Sequence, residues 1–91
     1  MANERVYKYV LPPLADRVTL MMPAGAEPLS VMVQGNKICI WARVNLWRSP
    51  VETTFRIAGT GHDLEEDVGN HVGSFQLENG ALVFHVFEVK K

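Results

Sequence analysis

The stretch Phe55-Arg56-Ile57-Ala58-Gly59-Thr60-Gly61-His62 changes character halfway along. Phe55, Ile57 and Gly59 alternate with Arg56, Ala58 and Thr60, which is the period of two that a strand needs. Past Gly59 the apolar alternation stops. Gly59 and Gly61 bracket Thr60, and glycine admits positive φ and close backbone approaches. The reading is a buried strand, Thr53 to Thr60, that runs out into a turn. The turn carries a hydroxyl, an imidazole and open backbone N–H groups. Such a turn can hold a small anion. It can equally be a strand leaving its sheet through glycine.

On the C-terminal side, Gly61 to Asn70 reads as a loop. It holds Asp63, Glu65, Glu66 and Asp67, flanked by His62 and His71. Imidazole and carboxylate are common metal ligands, but this spacing matches no metal-binding loop, so no metal is expected. His71 to Gln76 reads as a strand, Glu78-Asn79-Gly80 as a hairpin turn and Ala81 to Val89 as the last strand. In that strand Leu82, Phe84 and Val86 oppose Ala81, Val83, His85 and Phe87. Both faces are apolar, so the expected cover is two-sided: a second sheet or a second copy of the chain.

On the N-terminal side, Asn45 to Glu52 is a connection with Trp47 and Arg48 inside it. Before it, Leu29 to Gln34 and Lys37 to Val44 flank Gly35-Asn36, a tight hairpin. Ile38, Ile40 and Ala42 share one face of the second arm. Cys39, Trp41 and Arg43 share the other. Arg5 to Val10 and Arg17 to Met21 are the first two strands, the former ended by Leu11-Pro12-Pro13 because proline has no N–H for a ladder. No segment carries a helical period. Seven short strands in 91 residues imply an all-β, single-domain antiparallel barrel or sandwich spanning residues 1–91.

Composition narrows the function. The net charge is −1, which argues against coating a DNA or RNA polymer and offers little resistance to self-association. The single cysteine, Cys39, excludes an internal disulfide. No apolar run reaches the roughly 18 residues of a membrane helix. No signal peptide is visible, so a cytosolic location is expected. No serine sits in a nucleophile elbow, and no histidine has an evident nucleophile beside it. The expectation is therefore a protein without catalytic residues. The polar inventory suits binding: Trp41 and Trp47 to stack on flat rings, Arg43, Arg48 and Arg56 to fork onto phosphate, and Thr60, Gly61 and His62 to complete an anion nest. The alternative for Arg43 and Arg56 is pairing with the acidic loop.

Several motifs carry a resemblance. Phe55-Arg56-Ile57-x-Gly59-Thr60-Gly61-His62-x-Leu64, Val72-Gly73-Ser74-Phe75-Gln76 and Gly80-Ala81-Leu82-Val83-Phe84-His85-Val86-Phe87 are the main ones. Tyr7-Lys8-Tyr9, Leu29-Ser30-Val31-x-Val33-Gln34 and Ile40-Trp41-Ala42-x-Val44 accompany them. Together they resemble a family of small tailed-phage proteins, most of undefined function, that overlaps phage anti-defence sponges. The segment around Trp47 and Arg48 lies outside the likeness. The resemblance implies an oligomer in the host cell cytoplasm that sequesters a cyclic dinucleotide signal of CBASS immunity, such as cyclic GMP-AMP, without cleaving it and without a cofactor. A nonenzymatic phage structural or host-protein-binding module is the alternative. The expected assembly is a homodimer or homotetramer with Val83, His85 or Phe87 near the subunit contact. The expected pocket has Arg56, Thr60 and His62 on phosphate and Trp41 or Trp47 on a base.

Overall fold

The structure, a computed structural model, describes residues 3–13 and 15–91. Its strands are β1 (Glu4–Val10), β2 (Arg17–Pro23), β3 (Glu27–Gln34), β4 (Lys37–Asn45), β5 (Pro50–Gly59), β6 (Val68–Leu77) and β7 (Leu82–Val89). They form two antiparallel sheets, ordered β1-β4-β3 and β2-β5-β7-β6. The architecture is a small β-sandwich and not a closed barrel. The molecule is 17 Å across its thinnest direction, as two sheets packed about 10 Å apart require.

The alternation read along β5 holds. Phe55 and Ile57 face the other sheet and are buried with Val18, Met22, Ile40, Ala42, Val44, Phe75 and Val86. The β3–β4 hairpin turns at Gly35, with φ of 63°, and pairs Gln34 with Lys37. A one-turn 3-10 segment, Glu78–Gly80, joins β6 to β7. β7 inserts between β5 and β6, so Ala58, His85 and Ser74 lie side by side across three strands.

The sheets close along one side, where β3 packs on β6. A Cβ at Gly73 would come within 2.8 Å of Val31 Cγ1, so glycine is what lets the two backbones approach there. β6 has register shifts on each side of His71, and β3 has one between Pro28 and Ser30. The opposite side is open. β1 packs on β4, and six of its seven residues are exposed.

The second sheet expected as cover for β7 is present on one side of it. Its inner face meets the three-stranded sheet. Beside its outer face, the chain's own segment 61–64 lines a cavity together with His85 and Phe87.

Candidate functional site

The acidic segment after β5 is pinned by two arginines that are cross-strand neighbours, Arg17 of β2 and Arg56 of β5. Arg17 forks onto Asp67 at 2.8 and 2.9 Å and reaches Glu65 at 3.1 Å. Arg56 is buried, with its side chain only 8% exposed. Its Nε donates to Glu65 Oε1 at 2.9 Å, and its Nη atoms donate to the carbonyls of Ile57 at 2.7 Å and Asp63 at 3.0 Å. Asp16 adds a carbonyl at 3.4 Å and a carboxylate at 3.9 Å.

The guanidinium of Arg56 is thus spent on the chain's own loop. Arg56 outlines no phosphate pocket here; it anchors the segment that carries His62. The pairing with the acidic loop, the alternative weighed from sequence, is the arrangement found.

The turn itself is more closed than its sequence suggests. His62 N–H donates to the Gly59 carbonyl at 3.0 Å, closing a four-residue turn with Gly61 at φ 91°, the positive value that glycine allows. Gly59 N–H donates to His62 Nδ1 at 3.2 Å. Thr60 N–H donates to the Val83 carbonyl at 3.3 Å. These amides are engaged, so the expected anion nest is largely used up internally. The His62 ring lies over Gly59, where a Cβ would meet its Cε1 at 2.9 Å. Because Nδ1 accepts, a neutral His62 carries its proton on Nε2.

Side chains beyond the turn make a better-formed site. Thr60 Oγ1 lies 2.8 Å from His85 Nε2, His85 Nδ1 lies 2.8 Å from Ser74 Oγ, and Ser74 Oγ lies 3.3 Å from His71 Nε2. Two hydroxyls and two imidazoles thus form one continuous row across β5, β7 and β6. A neutral His85 has one donor and one acceptor nitrogen, so one flanking hydroxyl gives it a proton and the other receives one. Where Thr60 is the acceptor, its own O–H is free to point outward; where Ser74 is, its O–H can go to His71 Nε2. The row can therefore present an O–H donor to an anion without a fixed positive charge.

Two depressions adjoin it. One, about 180 Å³, is lined by Ala58, Leu64, His85 and Phe87 together with Thr60 and His62. The other, about 420 Å³, lies between Thr60 and His62 on one side and Ala81 to Phe84 on the other. Thr60 and His62 belong to both. The larger falls within the roughly 300–1,000 Å³ of small-molecule sites.

The eight residues expected to bind ligand fall in separate places. Thr60, Gly61 and His62 come together at this end of β5, and Arg56 lies behind them. Trp41 and Arg43 sit on the outer face of β4, in the other layer. Trp41 is level with Lys8 and Ser30, and Arg43 pairs with Glu4, its Nε 3.0 Å from Oε1. Trp47, 80% exposed, and Arg48 occupy the turn before β5. That turn is about 30 Å from Gly59 along an extended strand. One chain cannot bring Trp41 or Trp47 onto a ligand held at Thr60. His85, Ser74 and His71, which complete the row, are not among the residues expected to bind ligand. The signal for them was present: with a turn at 78–80, Ser74 falls opposite His85.

A consequence concerns acid. The Arg17 hydrogen bonds hold the Glu65 and Asp67 carboxyls below their ordinary range, and Arg56 adds to the effect on Glu65. A depressed folded-state value gives stability that is present above the unfolded carboxylate value and lost as pH falls through the folded one. Melting temperature should therefore decline on acidification below the ordinary carboxylate range, and Asp67→Asn should flatten that decline. An unchanged pH profile in the variant would remove Asp67 from the account. Both carboxylates are exposed, so salt should weaken the clamp.

Fold and site together define a small antiparallel β-sandwich with a hydroxyl–imidazole row on the outer face of its larger sheet. The chain belongs to the family described as domain of unknown function DUF7352, whose model matches residues 2–91. No curated protein and no solved structure matches it.

Proposed function

We propose that this chain is a binding protein without enzymatic activity that holds an anionic, nucleotide-sized ligand on the Thr60–His85–Ser74–His71 row. In line with the resemblance to tailed-phage proteins, the ligand proposed is a cyclic dinucleotide immune signal such as cyclic GMP-AMP. Sequestration in the infected host's cytoplasm is its proposed mode of action. The observation that carries the reading is the row itself, whose Thr60 end lines the 420 Å³ depression. The depression's apolar wall, Ala81 to Phe84, offers a surface for a base, and the row offers a donor for phosphate.

The same geometry speaks for binding over hydrolysis. The partners of His85 are two uncharged hydroxyls. Among the described residues it has no carboxylate partner of the kind that steadies the imidazolium in a catalytic triad. Among the described residues, too, no group of three or more His, Cys, Asp or Glu is placed to hold a metal ion, and no helix is long and apolar enough to cross a membrane.

The test is uptake followed by heat release. The protein is mixed with a panel of cyclic dinucleotides, separated from free ligand and heated, and the released nucleotide is identified. Intact nucleotide in the released fraction is expected. Degraded nucleotide would make the protein an enzyme, and no uptake would leave the binding reading without support.

A second reading, a structural or host-protein-binding module, has one observation in its favour. Leu46 and Trp47 are adjacent and exposed at a turn, Trp47 by 80%, and tryptophan is enriched among interface anchors. This reading predicts no nucleotide uptake.

A further inference from the structure

We infer that β1 is a docking strand for a second copy of this chain, pairing antiparallel with β1 of its partner to join two three-stranded sheets into one of six. The inference is independent of the ligand proposed above.

Four strands lie at sheet edges: β1 and β3 in the smaller sheet, β2 and β6 in the larger. Exposed edges invite pairing with another chain, and proteins blunt them with proline, bulges or cover. Three of the four are blunted here. β2 ends in Pro23. β3 contains Pro28 and a register shift beside it. β6 has register shifts on both sides of His71. In addition, β3 and β6 pack on each other. Among the described residues β1 has no proline, bulge or cover; its edge carries the charges Glu4, Arg5 and Lys8 instead, which repel most strands and admit one of matching charge. Its seven residues run in unbroken register with β4, from Glu4 opposite Asn45 to Val10 opposite Cys39, and contain no proline.

Three of the six exposed residues of β1 are apolar, beside the charged Glu4, Arg5 and Lys8. Val6 is 58%, Val10 47% and Tyr7 42% exposed. Val6 and Val10 share the outer face with Trp41, while Tyr7 lies on the inner face of the overhanging strand. A partner strand would shelter Val6 on one face and Tyr7 on the other.

The charges select a second copy as the occupant and antiparallel as its direction. β1 reads Glu4-Arg5-Val6-Tyr7-Lys8-Tyr9-Val10. A two-fold axis at Val6 sets Val6 against Val6, Glu4 against Lys8 and Arg5 against Tyr7. Both ends thus gain an opposite-charge pair on the Val6 face, and an arginine meets an aromatic ring on the other. Parallel pairing in register would instead stack Glu4 on Glu4, Arg5 on Arg5 and Lys8 on Lys8. In the single chain Lys8 Nζ donates to Gln34 Oε1 at 2.8 Å and Glu4 accepts from Arg43. Dimerisation exchanges the first contact and extends the second.

Sedimentation equilibrium of the full chain tests this. The wild type should be a dimer at tens of micromolar. Lys8→Glu sets carboxylate against carboxylate and Glu4→Lys sets ammonium against ammonium. Each variant alone should weaken dimerisation at least about tenfold. Mixed in equal amounts, the two variants are complementary at both ends and should recover the dimer. Val6→Lys, which places two ammonium groups on the axis, should be monomeric. Melting temperatures confirm that each variant is folded. A monomeric wild type overturns the inference. So does a dimer that none of the variants weakens, or a mixture that recovers nothing.

Discussion

Replacing Arg56 by alanine is expected to destabilise the protein by about 3–5 kcal/mol, the sum of a lost charged hydrogen bond and two carbonyls left without their donor. The guanidinium is buried and satisfies Glu65, the carbonyls of Ile57 and Asp63, and Asp16. With alanine there, those carbonyls lose their donor and the segment from Asp63 to Glu65 loses one of its two anchors. For a domain of this size each kcal/mol shifts the melting temperature by about 4–8 °C, so a fall of at least about 12 °C should follow. Arg43→Ala is the matching control. Arg43 also pairs with a glutamate, but its side chain is 56% exposed, and its removal should leave the melting temperature of the monomer unchanged. Equal melting temperatures for wild type and Arg56→Ala would mean that the loop is held some other way.

Phe55→Ala should cost about as much for a different reason. Phe55 is fully buried and is the inward-facing neighbour of Arg56 in the middle of β5, opposite Val18 on β2 and Glu88 on β7. Truncating a buried phenylalanine costs about 3–5 kcal/mol, through lost transfer energy and the cavity left behind. Domains of this kind are stable by about 5–15 kcal/mol in total, so the variant should unfold at a much lower urea concentration. Phe87→Ala, on the half-buried outer face of β7, should cost less. A larger loss at Phe87 than at Phe55 would place the core on the wrong face of the sheet.

These adjacent residues show what was legible in the sequence. Alternation placed Phe55 and Arg56 on opposite faces of β5, and Gly35-Asn36 and Glu78-Asn79-Gly80 marked both hairpin turns. The strand order was not legible. That β7 lies between β5 and β6 depends on contacts between strands distant in sequence, which local patterns do not report. This is why Arg56 was read as a phosphate ligand. Its partners Glu65 and Asp63 lie nearby in the chain, but Asp16 and the flanking Arg17 arrive only through pairing of β2 with β5. The same ignorance grouped Trp41 with Thr60, although the sandwich puts them on layers facing opposite ways. The turn at Thr60, Gly61 and His62 was legible because glycine spacing is a local signal. His85, Ser74 and His71 needed the β6–β7 register, which the hairpin turn implied but parity alone did not pair.

The central claim is that ligand is held at His85 and not at a tryptophan. Titration calorimetry with cyclic GMP-AMP should show binding by the wild type and by Trp47→Ala with equal affinity. His85→Ala, which removes the ring that aligns the Thr60 and Ser74 hydroxyls, should weaken binding by about tenfold or more, the scale of one charged hydrogen bond. Undiminished affinity in a folded His85→Ala variant, or a loss confined to Trp47→Ala, would contradict the account.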